Sequence, residues 1–564
     1  MSEQEPESGS GRPRVLILGG GFGGVAVAQE LERLQARYGR RLDVTLVSRD
    51  NSLLFVPMLP EAATGSIDLT HILSPLRALL PRTRVRVETV HAIDLAERTV
   101  TTINPSTHRE HMLQWDFLVI ALGNVVNLSG MPGVAEHGLP IKTIGDALHI
   151  RNHTLDMLEG ADQESDPEAR QRLLTFVVAG GGFSGVEIAA ELNDFVREAI
   201  SCYPSLRPDD ARVILLHSGD RILPELSPGL AWFAQRKLLE RGVQIRLGVR
   251  LAAATAHEVH LQGGERIGAH TLVVAIGAGP NPILQALDLP MERGRLAVDE
   301  TLLVRGQRRV WALGDCAAVP NPKTGQPAPP TAQFALREGR TVARNVYATA
   351  LGRRPAPFRF TGLGQLVSLG HRSAVAELPF GVKIAGFPAW LLWRSFYLFR
   401  LPSLERKLRV WLDWNLDLFF PRDLAELNVE RTERISLAHY EPGEAIVTQG
   451  ERADAFYVII KGEVQVLRRA DGQEVELARL RQGDSFGEVG LLRNQRRNAT
   501  VKAVTPVDVI SLGRRDFDLL TGTWSHLGRI IEDLATSRDS GAPPATAQPE
   551  SAGGDARAGS APGS

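Results

Sequence analysis

The sequence predicts an α/β protein: two doubly wound parallel-sheet units, then an amphipathic helical segment, then a separate β-roll. Three observations predict it. Two glycine-rich turns, each set between an apolar strand and a helical run, begin at Gly19 and Gly180. A stretch rich in Trp, Phe and Leu occupies residues 381–424. Near Arg431 the pattern changes to short strands with turn residues every 8–12 positions, as in an all-β module.

The 564 residues are too many for one hydrophobic core. With 23% charged residues and a net charge of −1, the chain has no general electrostatic reason to bind nucleic acid. It has two cysteines, Cys202 and Cys316, so a CxxC pair, a thiolate metal cluster and a disulfide scaffold are all excluded. No metal site is expected, and the pattern fits a reducing compartment. The polar N-terminal residues lack the apolar core of a secretory leader. No apolar run reaches about 18 residues, so no spanning helix is expected. Residues 1–12 and 539–564 have almost nothing that could form a core and are read as a disordered leader and tail.

In the first unit the apolar run Val15–Leu18 precedes Gly19, Gly21 and Gly24, with Phe22 opening the helical run. In such a GxGxxG turn the first glycine permits the tight turn and the second lets the backbone approach a pyrophosphate. The third lets helix and strand pack closely, and the phosphates sit on the helix N-terminus. One such motif is weak evidence, but here strand, turn and helix all occur, and Gly180, Gly182 and Gly185 repeat them. Two Rossmann-like units call for two nucleotides, and the pair resembles a flavin disulfide reductase architecture, which implies FAD on the first unit and NADH or NADPH on the second. The run VWALGDCA (310–317) resembles a second FAD motif, in which Gly314 and Asp315 approach the flavin phosphate and ribityl chain. The strand ends VIALG and VVAIG, closing on Gly123 and Gly277, resemble crossing motifs near the nucleotides.

Around these motifs, residues 13–424 resemble one family, the type II NADH dehydrogenases, which are single-subunit enzymes that pump no protons. The segments 44–65 and 130–153, and PPTAQFALREG (329–339), carry the resemblance. It implies that Ala332 and Gln333 lie beside the flavin ring and that Glu187 helps proton transfer to a quinone. A salt-bridged or capping role for Glu187 is the alternative. Three positions depart from the usual pattern. Ser48, followed by Arg49, ends the second strand of the FAD unit where an acid usually binds ribose. His217 takes the equivalent place in the second unit, with Arg221 close in sequence, which leaves NADH versus NADPH open. Arg337 replaces the second Gln of the quinone motif, and the acceptor's identity depends on it. Disulfide reductases need a cysteine pair and sulfide:quinone reductases need cysteines near the flavin, so Cys316 is read as a packing residue.

The segment 386–420 holds four of the eight Trp residues, together with Arg394, Arg400, Arg406, Lys407 and Arg409. Aromatic rings and cations on amphipathic helices suit the membrane interface. Arg394 interrupts the apolar run, which favours lying on a membrane over spanning it. A buried dimer interface, or packing against the next domain, is the other reading. The run GDSFGEVGLLRNQRRNATVKAV (483–504) resembles the phosphate-binding cassette of cyclic-nucleotide-binding domains. That resemblance places Phe486, Gly487, Glu488, Arg497, Asn498, Ala499 and Thr500 around the ligand, with Glu488 on the ribose hydroxyl and Arg497 on the cyclic phosphate. Asn498 leaves the base choice weak, and cAMP is the default. Residues 514–538 have helical periodicity and match the lid helix of such domains.

The expected division is therefore FAD domain 13–170 and 291–380, NAD(P)H domain 171–290, interface helices 381–424 and cyclic-nucleotide domain 425–538. The expected function is oxidation of NAD(P)H and reduction of a membrane quinone, at the cytoplasmic face of the cell membrane and under cyclic-nucleotide control. Reduction of a protein such as a ferredoxin, or a sensor with incidental turnover, are the alternatives.

Overall fold

The computed structural model describes residues 11–513, apart from 40, 108, 129, 277, 324, 428–435, 452, 454, 471, 472 and 494, together with residue 517. The chain divides into two compact units, residues 1–427 and 428–564.

The first unit is built on two five-stranded sheets of the same plan. In the first, Arg14–Leu18 is central, with Asp43–Ser48 and then Arg84–Val87 on one side and Phe117–Ile120 and then Val310–Ala312 on the other. In the second, Thr175–Ala179 is central, with Arg212–His217 and Val243–Leu247 on one side and Thr271–Val274 and Gly138–Pro140 on the other. All these pairings are parallel. The central strands are buried on both faces, so they read as continuous apolar runs instead of alternating ones. Strand Val310–Ala312 returns to the first sheet only after the whole second sheet has been laid down, so that sheet is assembled from two distant parts of the chain.

Each glycine-rich turn leads into a long helix, Phe22–Tyr38 and Phe183–Ile200. A β-meander, Gln365–Ser368, Ala374–Glu377 and Lys383–Gly386, precedes helices Phe387–Arg400 and Leu404–Leu416. Among the described residues no helix is long and apolar enough to cross a membrane. These two helices bury Trp390, Trp393, Val410 and Trp414 and leave Phe399, Leu404, Phe419 and Phe420 largely exposed on or just beyond them. Arg394 differs from its expected interfacial role. Its side chain is only 13% exposed and lies over the rings of Trp390 and Trp414, at 4.2 and 4.7 Å. It turns inward because the carboxylates of Glu61, Asp417 and Glu191 lie there, and a guanidinium is buried at tolerable cost only beside opposite charge.

The second unit is a β-roll of two antiparallel four-stranded sheets. One orders Ser436–Tyr440, Val507–Gly513, Ala455–Lys461 and Ser485–Phe486; the other orders Ala445–Val447, Thr500–Ala503, Glu463–Ala470 and Gln473–Arg481. Their facing sides share an apolar core that includes Tyr457, Ile459, Val464 and Val501. The helix expected over 514–538 lies outside the described residues except for Phe517, which is buried with its ring 5.4 Å from that of Phe456.

Candidate active site and nucleotide cradles

The two turns do the same physical work. Gly19 and Gly180 adopt φ of 112° and 125°, a region that side chains rarely occupy. A Cβ on Gly24 would collide with the carbonyl of Gly19, and one on Gly185 with that of Gly180. The middle glycines differ from their neighbours: a Cβ on Gly21 would meet nothing within 4 Å, and one on Gly182 only Glu225 Oε1 at 3.9 Å. Among the described residues neither helix is capped by a side chain or carries an acid in its first turn. By contrast, helix Ile144–Gln163 is closed by a Thr143–Asp146 capping box. Two long helices that keep their first-turn N–H groups and positive dipole ends free, each behind an open glycine, fit two dinucleotide pyrophosphates.

Around the first turn, Ser48 is buried against Gly20, whereas Arg49 is exposed and pairs with Asp50 at 3.5 Å. Phe22 packs edge-on against Phe55, with ring centroids 5.7 Å apart. Gly123 has φ 66° and open space above its Cα, and Gly314 has φ 71°. Burial raises the Asp315 carboxyl above its ordinary value against the pull of Lys142. Sequence reading missed Glu338, which accepts the Gly314 N–H at 2.8 Å and is pushed by burial up to about 7. It also missed Lys142, whose ammonium donates to the carbonyl and side chain of Asn124. A signal for the helix carrying Glu338 was the adjacent Gly339, where a Cβ would meet Gly23 O at 2.6 Å and Ala26 Cβ at 2.9 Å. Cys316 is buried, its thiol is pushed by burial up to about 11, and it donates to Leu313 O at 3.2 Å. A buried thiol held protonated is a poor nucleophile.

In the second unit His217 Nδ1 accepts the Gly181 N–H at 3.3 Å, which occupies one ring nitrogen with the turn itself. Arg221 Nη2 donates to Pro224 O at 3.1 Å. Gly277 lies outside the described residues.

Glu187, Gln333 and Arg337 each contact the residues 360–368, and Ala332 precedes Gln333. Ala332 and Gln333 open helix Ala332–Ala350. The Gln333 amide is engaged at both ends, donating to Gly364 O and accepting from Leu363 N at 3.0 Å each. The Arg337 guanidinium lies 4.7 Å above the Phe360 ring. A few residues along, the Ser368 N–H donates to Glu187 Oε1 at 3.1 Å. Glu187 is pushed by burial up to about 8, against the Ser368 amide and the Trp393 indole, which favour its charged form. A half-buried carboxyl held protonated near neutral pH is a competent proton donor. Rings continue from Phe55 to Tyr397 (6.1 Å) and on to Trp393 (4.8 Å), joining the first glycine turn to the aromatic helices.

In the β-roll, Gly487 has φ 93° and caps the short helix Glu488–Leu492. The buried Arg497 donates to Gly487 O at 3.0 Å and Ala455 O at 2.8 Å, 5.8 Å over Tyr457. Tyr457 in turn stacks on Phe486 at 5.0 Å. Glu488 and Ala499 are buried, Asn498 is exposed, and Thr500 Oγ1 accepts the Gln449 N–H at 2.9 Å.

Comparison with known proteins places the chain among families and folds. Residues 13–339 match the pyridine nucleotide-disulphide oxidoreductases, 363–423 the NDH2 C-terminal domain and 437–522 the cyclic nucleotide-binding domain. The demethylphylloquinone reductase NdbB of Synechocystis is 32% identical over 409 residues, covering 72% of this chain and 96% of that protein. The type II NADH:quinone oxidoreductase NdhA of Mycobacterium tuberculosis is 31% identical over 436 residues, 74% and 89% of the two chains. The structure of NDH2 from Plasmodium falciparum in complex with NADH shares the fold, at 20% identity and a TM-score of 0.68 over 73% of this chain and all of that one. The chain therefore belongs to the type II NADH dehydrogenases, FAD-dependent NADH:quinone oxidoreductases within the pyridine nucleotide-disulphide oxidoreductase family, and carries a C-terminal cyclic nucleotide-binding domain.

Proposed function

We propose that the chain oxidises NADH, and NADPH as well, reduces a membrane quinone, and does so under control of a cyclic nucleotide bound to its β-roll. The observation that carries the reading is Glu187: a half-buried carboxyl on the helix behind the second glycine turn, tied by Ser368 to the segment that Gln333 clamps. FAD, when bound, supplies the two-electron chemistry between nicotinamide and quinone. Around it the chain's own groups divide the work. Gly19, Gly21, Gly24, Phe22, Ser48, Arg49, Gly123, Gly314 and Asp315 hold the flavin nucleotide, and Gly180, Gly182, Gly185, His217 and Gly277 hold the nicotinamide nucleotide. Ala332, Gln333 and Arg337 border the acceptor pocket, and Glu187 supplies the proton. In this reading the flavin domain comprises 13–170 and 291–380 and encloses the nicotinamide domain 171–290.

Arg337 is suited to a quinone carbonyl as a charged donor in place of an amide. His217 puts no carboxylate against a 2′-phosphate, which supports use of NADPH. The exposed apolar side chains of residues 387–420, with Arg400 and Arg409 among them, suit a membrane surface at the inner face of the cell membrane. A second copy of the chain could cover the same face. Arg497, Glu488 and Gly487 form a cradle for a cyclic phosphate and ribose, with cAMP the default ligand and Asn498, facing outward, giving little base selection.

The test is steady-state oxidation of NADH and NADPH by purified FAD-loaded protein with a short-chain quinone, with and without cAMP, in solution and on anionic vesicles. Quinone-dependent turnover, altered by cAMP and accompanied by vesicle binding, is expected. Flavin reduction without quinone turnover would transfer the function to a protein acceptor. Unchanged kinetics and vesicle binding at saturating cAMP would remove the regulatory role.

A further inference from the structure

Helix Phe183–Ile200 carries a second glutamate, Glu191, which is buried and lies one turn beyond Glu187, therefore on the same face. Glu191 opens onto a recess of about 80 Å³ that the nucleotide cradles do not use. Its inner wall holds three acids, Glu61, Glu191 and Asp417, against two bases, Arg394 and Arg422. Arg422 pairs with Glu191 at 3.2 Å and with Asp417 and Glu198 at 3.6 Å each. Arg394 pairs with Asp417 at 3.9 Å, and Glu61 accepts the Trp414 indole N–H at 3.2 Å. Asp194, also close to Glu191, is bound to Arg241 and so is spoken for. His371 and Arg372, both exposed, form the outer rim.

Two properties follow from this inventory. Glu61 and Glu191 are buried and Asp417 is half-buried beside Arg394 and Arg422, and a carboxylate taken out of water without full compensation neutralises itself by taking up a proton. Burial accordingly raises Glu61 and Glu191 above the ordinary carboxylate range. The recess also has room for a few waters, and Ser66 Oγ, Arg394 Nε and Arg422 Nε on its wall have no protein hydrogen-bond partner among the described residues. Titratable or polar groups face Glu187 from every side of this array: Glu191 on its own helix, Tyr397 and Trp393 on the aromatic helix, and the Ser368 amide on the meander. Arg151, on the helix packed beside Glu61, donates to Asp423 O and Ala425 O and contributes a further positive charge at the edge.

The reaction NADH + H⁺ + quinone → NAD⁺ + quinol consumes one proton that the nicotinamide does not bring. We infer that Glu61 and Glu191, held by Arg394 and Arg422, store that proton and relay it from the His371 rim to Glu187. The inference rests on the quinone reading above. Glu61 and Glu191 act only through Glu187 and are positioning residues for its proton, which passes from rim water to the carboxyl cluster and then to the Glu187 carboxylate once Glu187 has protonated the reduced quinone.

The experiment uses the full-length FAD-loaded protein and its Glu61→Gln, Glu61→Asp, Glu191→Gln and His371→Trp variants. Infrared spectra of the resting protein in H₂O and D₂O report the band of protonated buried carboxyls, independently of turnover. Stopped-flow kinetics separate reduction by NADH from reoxidation by a short-chain quinone across pH. Expected are partial loss of the infrared band in Glu61→Gln or Glu191→Gln, reoxidation slowed roughly tenfold with an altered pH profile, unchanged reduction by NADH, and recovery in Glu61→Asp. His371→Trp lies on the surface and keeps the test alive should the buried variants fail to fold; it too should slow reoxidation and not reduction. An unchanged band in both glutamine variants, or wild-type reoxidation and pH profile in every variant that folds, overturns the relay. Failure of the wild type to react with quinone would sink the functional reading instead, and the infrared band would then decide alone whether the cluster stores a proton.

Discussion

The helices behind the two glycine turns start alike and then diverge in chemistry. Counted from Gly19 and Gly180, Ala26 occupies the position of Glu187, and Glu30 that of Glu191. Both Glu30 and Glu191 are buried, yet they titrate in opposite directions. Burial pushes Glu30 up, but Arg33 and Arg344, each bonded to it at 2.8 Å, outweigh burial and hold it below its ordinary value. Burial also pushes Glu191 up, and there Arg422 and Arg241 are opposed by Asp194 and Asp417, so it stays raised. Ala26 packs against the helix at Gly339, where no side chain fits, whereas Glu187 meets the meander and the aromatic helix. A duplicated scaffold fixes where the helix begins; the element packed against it decides what its side chains can do.

The largest effect should come from breaking what the two turns share. Gly24→Val and Gly185→Val each drive a side chain into a backbone carbonyl, with an overpacking cost of about 1–3 kcal/mol or more. The first should yield protein without flavin. The second should keep flavin, seen by its absorbance, and lose NADH binding in titration. Equal loss of flavin in both would contradict the division of labour.

Next is the position where the helices differ most. Glu187→Gln should lower quinone-dependent turnover about 100-fold while reduction by NADH persists. As a proton donor with its carboxyl near 8, Glu187 should give a turnover rate that falls as pH rises through about 8. The sign for stability is the same, since a raised carboxyl contributes fully below the ordinary carboxylate range and its contribution is lost as pH rises through about 8. Thermal melts of Glu187→Gln should be flatter across that window.

A smaller change is expected at the strand ends. In the proposed reading His217→Glu puts a carboxylate beside the nucleotide ribose, and it should move the ratio of kcat/KM values about tenfold towards NADH, equivalent to about 1.4 kcal/mol. Ser48→Glu, at the matching place in the first unit, should leave that ratio alone.

Smallest is Glu30→Gln. Its partners Arg33 and Arg344 are 51% and 60% exposed, so water screens them and the loss should be about 1 kcal/mol or less. Glu30 is held low, so its contribution is present above 4.5 and disappears as pH falls through its lowered value. Urea melts at pH 7 and at acid pH check both magnitude and sign.

The candidate site was legible where a backbone demand forces a residue type. The glycines of both turns are such positions, because a Cβ collides or φ is positive, and so is Gly487. The aromatic segment was legible as a pair of apolar helices, but its inner and outer faces were not. Trp393 and Trp414 are core residues, and Arg394 belongs to a buried cluster whose other members come from residues 61, 191, 417 and 422. No local spacing announces a carboxylate contributed by a five-residue helix far along the chain, Leu59–Ala63. Glu338 escaped for the same reason, since its partner is the amide of Gly314 on a different element.

By itself the sequence determined the two parallel-sheet units, their nucleotide turns and the β-roll, because strand periodicity and glycine geometry are local constraints written into short stretches. Only the tertiary structure decided the charge state of Glu187, the opposite behaviour of Glu30 and Glu191, and the inward turn of Arg394. Protonation and burial depend on which distant groups share a low-dielectric space, and the chain's linear order does not specify that.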